Sequence, residues 1–386
     1  MNVSHVLKTQ CTGCAACSAV CPKNCITMTE DDEGGFLYPL VNELDCVDCG
    51  LCTKTCHTIN FDFILKDEIK SYIGIASKDE VNKSASGGAS AMLIKAFIKK
   101  GGIVYGSVFT PDLNVVHRRV DTISEAEHFR KSKYIQSDTL QCYSSIEEDL
   151  KNGLNVLFTG TSCQCASVHK YLDVKRANKD NLYTINVLCH GVPSQHLFNV
   201  YRKEQEDRVG SKMVSYTFKN KVPVNGVVNS RSAEIHYANG RVDFVGISDD
   251  PFLKMYYSKL AYRPSCMNCK YACPERVADI TLADAWKIES IMSDLNPLTG
   301  ISLILHNSKK GGELLGNIDS SFTLKEIDTS WALQSQKLFR IPTKCHKNRD
   351  LFLKAYKNDG FKNAVDKLLA PSISIKIKRY LKNIIG

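Results

Sequence analysis

No run of apolar residues in this 386-residue chain is long enough to cross a bilayer, which excludes a helical membrane span. No secretory leader is expected, because Cys11 opens a motif almost at the start. There is no low-complexity segment, and apart from one doubled cysteine run there is no internal repeat. Basic residues are scattered, except at the C-terminus. Fifty Lys and Arg against 41 Asp and Glu give a formal +9. No helix-turn-helix or other nucleic-acid reader is recognisable, so a regulator that binds nucleic acid is disfavoured.

What the chain has in quantity is cysteine, 17 residues in all. Without a secretion signal, that number points to metal in a reducing cytoplasm and not to a disulfide framework. Cys11, Cys14, Cys17 and Cys21 are spaced C-x2-C-x2-C-x3-C and closed by Pro22. Cys46, Cys49, Cys52 and Cys56 repeat the spacing and end in His57. Three cysteines on a tight loop suit three corners of a cuboidal four-iron cluster, and the fourth ligates the other cluster of the pair. One cluster is therefore assigned to Cys11, Cys14, Cys17 and Cys56, and the other to Cys46, Cys49, Cys52 and Cys21. A zinc site built from CxxC pairs would leave the third cysteine of each run idle. Each oxidised cluster with four thiolates carries about −2, so two clusters lower the net charge to about +5 and three to about +3. That weakens any nucleic-acid reading based on charge.

The expected fold is an α+β and α/β multidomain chain. Residues 1–60 form a small ferredoxin-like module with strands at Ile26–Thr29 and Phe36–Val41, joined through Asp31, Asp32, Gly34 and Gly35. A module this small has little apolar core and depends on its metal for folding. A linker is expected near residues 60–70. Residues 71–345 read as a mixed α/β domain. Its strands are Tyr72–Ala76, Ile103–Phe109, Val156–Phe158, Tyr183–Leu188 and Ile301–His306, and its helices include Ala89–Lys99, Ile146–Lys151 and Ala166–Tyr171. An antiparallel meander is expected at Val214–Lys219, Ala233–Tyr237 and Val242–Val245, with turns at Asn225-Gly226 and Asn239-Gly240. Residues 346–386 read as a helical basic tail. Its Ile373–Lys382 stretch offers at most peripheral contact with an anionic membrane or an acidic partner, or is a solvated terminal helix.

Several segments of the large domain carry chemistry-bearing residues. Ser86, Gly87 and Gly88 lead into a helix, where backbone amides approach a phosphate closely; a plain N-cap reads the same way. Thr159-Gly160-Thr161-Ser162-Cys163 lies at a strand–turn–helix junction, the place where α/β folds put ligands. Cys189 ends the next strand, and Cys266 and Cys269 form a CxxC pair. Cys163, Cys189, Cys266 and Cys269 make four candidate ligands for a third four-iron cluster, with a zinc site or buried free thiols as alternatives. Cys25, Cys142, Cys165, Cys273 and Cys345 read as free, although Cys273 could replace one of the four. Lys133 and Tyr134 suit a cofactor's phosphate or ring, or a surface loop. Ala278–Trp286 reads as a strand ending in Asp284 and an indole. His57, His117, His169 and His236 are isolated in sequence and receive no role.

In order along the chain occur Ser-Gly-Gly before a helix, Lys133-Tyr134 with Gln136-Ser137-Asp138, Gly160-Thr161-x-Cys163-Gln164, Cys189-His190-Gly191-Val192-Pro193, and CxxC before Ala278-Asp279-Ile280-Thr281. Together they resemble the coenzyme F420 hydrogenase/dehydrogenase beta-subunit family, preceded by a fused two-cluster ferredoxin. The resemblance implies an iron–sulfur flavoprotein of the cytoplasm. FAD would sit in the large domain beside a four-iron cluster held by Cys163, Cys189, Cys266 and Cys269. Ser86, Gly87, Gly88, Lys133, Tyr134, Gly160 and Thr161 become the flavin-site candidates. Electrons would pass between a redox partner protein or soluble donor, the clusters, FAD and a hydride carrier or organic acceptor. The alternative is an electron-transfer subunit docking on a separate catalytic partner, in some relatives associated with surface-polysaccharide synthesis. No general acid or base is assigned. Ser162 replaces the family's usual proline, Lys287 follows Trp286 where glycine is usual, and His57 stands where a ferredoxin has proline. Family membership therefore does not determine the substrate.

Overall fold

The computed structural model describes residues 2–61, 69–221 and 232–370. The expected linker near 60–70, the Asn225-Gly226 turn and the basic stretch 373–382 fall wholly or mostly outside the described residues.

The N-terminal module is built on a hairpin of β1 (Ile26–Glu30) and β2 (Leu37–Val41), antiparallel with Ile26 opposite Val41. Asp31 shapes the turn, its Oδ1 accepting from the backbone N–H of Gly34 at 3.0 Å and of Phe36 at 3.1 Å. Each cysteine loop feeds a short helix, Ala16–Ala19 after the first and Leu51–Thr55 after the second. Elements this short enclose little apolar volume of their own. The module borrows a core instead. Val3, Ala16, Val20, Ile26 and Cys52 share one apolar cluster with Tyr143, Phe158, Cys165 and Tyr171 of the large domain.

Five strands follow in chain order: β3 (Lys70–Ile75), β4 (Ile103–Phe109), β5 (Val115–Val120), β6 (Val156–Thr161) and β7 (Leu182–Val187). Next come the meander strands β8 (Met213–Asn220), β9 (Ser232–Tyr237) and β10 (Val242–Gly246), and finally β11 (Ile280–Asp284), β12 (Ser302–His306) and β13 (Thr323–Ile327). Eight strands form one sheet in the order β13-β3-β12-β11-β7-β6-β4-β5. The central β4, β6, β7 and β11 are parallel, and antiparallel strands close both edges. Side chains alternate across this sheet, as strand geometry requires. Val156 and Phe158 face the helices Cys142–Lys151 and Ser162–Val174. Leu157 faces the opposite layer, with Ala89–Lys99 and Lys309–Gly316. Burial on both faces explains why these strands read as continuous apolar runs.

The meander β8–β10 is a separate antiparallel sheet, as its alternating pattern implies. Its buried face meets Phe198 and Tyr201 of helix Gln195–Val209 and Phe252 of helix Pro251–Tyr257. The C-terminal segment departs from the expected tail. Helices Arg349–Asp359 and Phe361–Leu369 pack into this same core, with Phe352, Phe361, Ala364 and Val365 all 0 % exposed. Apolar spacing within a basic stretch explains both the expectation and the correction: the lysines lie on the outer face, and the aromatic residues seal the aromatic cluster.

Candidate functional site

The parallel strands place their carboxyl ends along one edge of the sheet, where ligands of α/β folds gather. β6 runs into Gly160, Thr161 and Cys163. β7 ends just before Leu188 and Cys189, β11 ends at Asp284, and β3 leads toward Ser86 and Gly88. A cavity of about 620 Å³ opens along this edge. Ser86, Gly88, Lys133, Tyr134, Gly160 and Thr161 line it, together with Cys163, Cys189, Cys266 and Cys269. Its size lies within the range of cofactor sites, about 300 to 1,000 Å³.

Gly87 plays a different part from its neighbours. A Cβ there would lie 2.4 Å from the Gly74 carbonyl and 2.5 Å from the Ser302 amide, so the residue lets the loop lie flat on β3 and β12. Gly88 takes φ +89° and turns the chain into helix Ala89–Lys99, whose first residues Ala89, Ser90 and Ala91 line the cavity. Lys221 Nζ braces the loop from below by donating to the carbonyls of Val81 (2.7 Å) and Ser86 (3.0 Å). Its burial lowers it to about 8.

Lys133 and Tyr134 are less free than their sequence implied. Lys133 Nζ donates to the carbonyls of His128 (2.7 Å) and Arg130 (3.0 Å), and burial lowers it to about 7. The Tyr134 ring is stacked on Tyr256 at 4.3 Å with the planes 1° apart. Both shape the wall, and one face of the ring is already occupied. At the far end, Lys219 Nζ pairs with Asp284 at 2.8 Å and lies 5.7 Å from the centre of the Trp286 ring. His117 is buried against Phe158 at 5.0 Å, with its ring nitrogens tied to Thr159 O and Ser137 Oγ.

The cysteines fall into three groups. Gly13 and Ala15 in the first loop, and Asp48 and Gly50 in the second, all adopt positive φ (66°, 62°, 49° and 72°), so the two loops share one backbone course. That course turns three thiols toward one point and sends the fourth cysteine across to the other group. Burial pushes Cys14 up to about 12, with Cys56 and Cys11 adding like charge. Cys17 is raised by burial and then by Cys14, Cys11 and Cys56. Cys56 thus stands with the first loop. Cys21 lines a second small gap with Cys46, Cys49 and Cys52. Cys25, read as free, is a fifth thiol at that gap, its Sγ 3.4 Å from Cys21 Sγ.

The third group brings together residues far apart in sequence. Burial pushes Cys163 up to about 12 and Cys266 up to about 11, and raises Cys189 and Cys269. Cys189 has Cys266, Cys163 and Cys269 as its electrostatic neighbours. Cys273 points elsewhere, its Sγ donating to the carbonyls of Lys270 (3.5 Å) and Glu275 (3.3 Å). Among the described residues, no three His, Cys, Asp or Glu side chains close tightly enough on a point for a single ion. The thiols ring wider gaps. Thiols buried together resist ionisation, and a guest that shares their negative charge offsets that cost. This donor chemistry fits iron–sulfur clusters.

Residues that sequence reasoning passed over connect the groups. Arg263 Nη2 donates to the Leu37 carbonyl (2.6 Å) and to Cys11 Sγ (3.7 Å), and Nε donates to the Cys11 carbonyl (2.8 Å). Tyr271 has Cys163 and Cys269 on one side, and Cys14 and Cys56 on the other, as electrostatic neighbours. Its hydroxyl lies 2.6 Å from His57 Nδ1, and His57 Nε2 is 3.0 Å from Thr12 Oγ1. His57 is therefore a buried link between the module and the large domain. Proximity to CxxC was the one sequence signal these residues carried.

Two family models match parts of the chain. The 4Fe-4S dicluster domain matches residues 10–59. The family described as coenzyme F420 hydrogenase/dehydrogenase, C terminus of the beta subunit, matches residues 153–330. The F polypeptide of the F(420)H(2) dehydrogenase from Methanosarcina mazei is 23 % identical over 194 residues, covering 46 % of this chain and 53 % of its own length. The chain thus spans about half the length of that curated relative. A solved chain of the F420-reducing [NiFe] hydrogenase complex from Methanosarcina barkeri, a xenon derivative, aligns with a TM-score of 0.45 at 18 % identity over 78 % of this chain and 91 % of its own. Among the described residues no helix is long and apolar enough to cross a membrane. The chain thus carries a dicluster module at its front and, behind it, a domain similar to the C terminus of the coenzyme F420 hydrogenase/dehydrogenase beta subunit.

Proposed function

We propose that the chain is an iron–sulfur flavoprotein oxidoreductase. Cys11, Cys14, Cys17 and Cys56 hold one four-iron cluster, Cys46, Cys49, Cys52 and Cys21 a second, and Cys163, Cys189, Cys266 and Cys269 a third. FAD occupies the 620 Å³ cavity. When bound, the clusters supply single-electron transfer and the flavin couples it to hydride chemistry. The observation that carries this reading is the third thiol group on the cavity wall. A carrier with no substrate site has no use for a cofactor-sized cavity beside those thiols.

The protein's own residues hold and insulate. The Gly88 turn and the following helix present amides to an anion. Lys133 braces the loop 128–133, and the Tyr134–Tyr256 stack seals one side against water. Thr161 and Gln164 cap helix Ser162–Val174, which keeps the Cys163 thiol at the cavity edge. Tyr271, His57 and Arg263 hold the N-terminal module against the large domain, so the first and third thiol groups keep a constant separation.

The hydride partner is of the coenzyme F420 type or a related organic carrier, which the family name supports. The Methanosarcina mazei relative is named as one component of a multi-chain dehydrogenase. That supports a redox partner protein for this chain. Cys49, the exposed cysteine of the second group, lies beside the exposed Leu44 and Val47 and is the natural point of electron exchange. An electron-transfer subunit docked on a separate catalytic partner would use that same face.

The deciding experiment measures iron, acid-labile sulfide and flavin per chain after purification without oxygen. The expected content is about twelve irons and one flavin, the count three clusters require. About eight irons without flavin would refute the flavoprotein reading and leave the carrier reading.

A further inference from the structure

Among the described residues the two largest fully buried side chains are arginines, Arg263 at 1 % and Arg276 at 2 % exposure. A buried guanidinium ordinarily faces a carboxylate, because an uncompensated charge in the interior is strongly unfavourable. Two other sheltered cations follow that rule: Arg130 pairs with Glu80, and Lys219 with Asp284. Among the described residues neither Arg263 nor Arg276 has such a partner. Arg263 donates to the carbonyls of Cys11 and Leu37, to Gln136 Oε1 at 3.0 Å and to Cys11 Sγ. Its guanidinium lies 4.5 Å from the centre of the Tyr38 ring. Arg276 donates to Ser162 Oγ (2.9 Å), Thr281 Oγ1 (3.2 Å) and the carbonyls of Tyr271 and Cys273 (both 3.0 Å). Every one of these acceptors is formally neutral except the cysteine sulfur.

Both guanidiniums lie against thiol groups. Arg263 touches Cys11, while its main chain is built into the third group. Its N–H donates to Val192 O at 2.9 Å and its carbonyl accepts from Cys266 N–H at 3.0 Å. Arg276 has Cys273, then Cys269 of the third group, then Cys165 as its electrostatic neighbours. Four thiolates around a four-iron core carry a net charge of about −2, the missing counter-charge.

We propose that Arg263 and Arg276 are built-in counter-ions of the clusters, and that Arg263 sets the potential of the cluster held by Cys11, Cys14, Cys17 and Cys56. This rests on the cluster assignment above. One-electron reduction adds one negative charge to a cluster and breaks no bond. A fixed positive charge in a low-dielectric site, with an N–H aimed at a ligand sulfur, favours that added charge and raises the potential. Arg263 is thereby a positioning residue that makes the first cluster the better electron acceptor on the path to the cavity. Arg276 plays the same part for the third group.

The test is an EPR-monitored redox titration of the full chain, loaded without oxygen and reduced stepwise with dithionite and mediators. Arg263→Gln is expected to move the first cluster to a more negative potential and leave the second unchanged, since no contact joins Arg263 to Cys21, Cys46, Cys49 or Cys52 among the described residues. Arg263→Lys keeps the charge but loses the fork, and is expected to give a smaller shift in the same direction. Arg276→Gln is expected to move the third cluster alone. An unchanged first-cluster potential in both Arg263 variants overturns the proposal, as does an equal shift of all clusters. If Arg263→Gln fails to load iron, the Lys variant decides. Wild-type protein with only about eight irons would sink the third-cluster assignment, while the first-cluster shift would still be readable.

Discussion

Cys56→Ala is the sharpest test of how the N-terminal thiols are shared. Cys56 lies four residues beyond Cys52, at the end of helix Leu51–Thr55, and by sequence alone it belongs to the second run. The chain leaves that helix at Cys56 in an extended conformation, φ −70° and ψ 104°, which turns its thiol away from Cys52 and toward Cys14 and Cys17. Removing it therefore takes a ligand from the first cluster. On the scale of a four-ligand structural zinc site, which contributes about 10 to 16 kcal/mol, one ligand of four is worth about 3 to 4 kcal/mol, or about two to three orders of magnitude in retention. The assay is EPR of dithionite-reduced protein, with iron per chain measured on the same sample. Cys56→Ala should lose or alter the signal that Cys14→Ala alters, and keep the signal that Cys49→Ala alters. If Cys56→Ala and Cys49→Ala remove the same signal, the shared-ligand reasoning is wrong.

Two further outcomes follow from residues behind the cavity wall. Burial alone would raise Glu80, but Arg130 and Lys95 overcome it and hold its carboxyl at about 2, below the ordinary 4.5. A carboxyl lowered on folding contributes stability that is full above pH 4.5 and lost as pH falls toward 2, at most about 3 kcal/mol here. The urea midpoint of wild type should therefore fall more steeply than that of Glu80→Gln between those pH values, and parallel curves would refute the ion-pair reading. Gly87→Ala should cost about 1 to 3 kcal/mol, because its Cβ meets backbone of β3 and β12, and should reduce bound flavin. Gly101→Ala is the control: at φ +78° but in open space, it should cost only about 1 kcal/mol of strain and spare flavin. Thermal unfolding and flavin absorbance read both variants.

The sequence by itself determined the chemistry of the N-terminal module and most of the strands. The cysteine spacing did so because the loop that presents three thiols is a local object: positive φ at Gly13, Ala15, Asp48 and Gly50 follows from a few neighbouring residues. The strands were legible because burial on both faces leaves continuous apolar runs, and Ile103–Phe109 is observed with the expected bounds. Helix Ala89–Lys99 was legible because a glycine pair precedes an unbroken apolar face. Only the tertiary structure decided what lies between these elements. Cys163, Cys189, Cys266 and Cys269 come from separate segments, and no local rule says that the carboxyl ends of β6 and β7 and a loop before β11 converge. Arg263 looked like any arginine near a CxxC pair. Its importance comes from a burial and an absent carboxylate, both properties of the folded interior. Lys133 and Tyr134 stood out as polar and aromatic, but their partners, two carbonyls and a stacked Tyr256, were set by packing. Helices Arg349–Asp359 and Phe361–Leu369 read as a charged tail because charge is visible in sequence. Their fate as a sealed core was decided by an aromatic surface on β8, β9 and helix Gln195–Val209, more than a hundred residues away. Local backbone preference and donor chemistry are written in neighbouring residues. Which distant groups share one dry, low-dielectric space is written only in the fold.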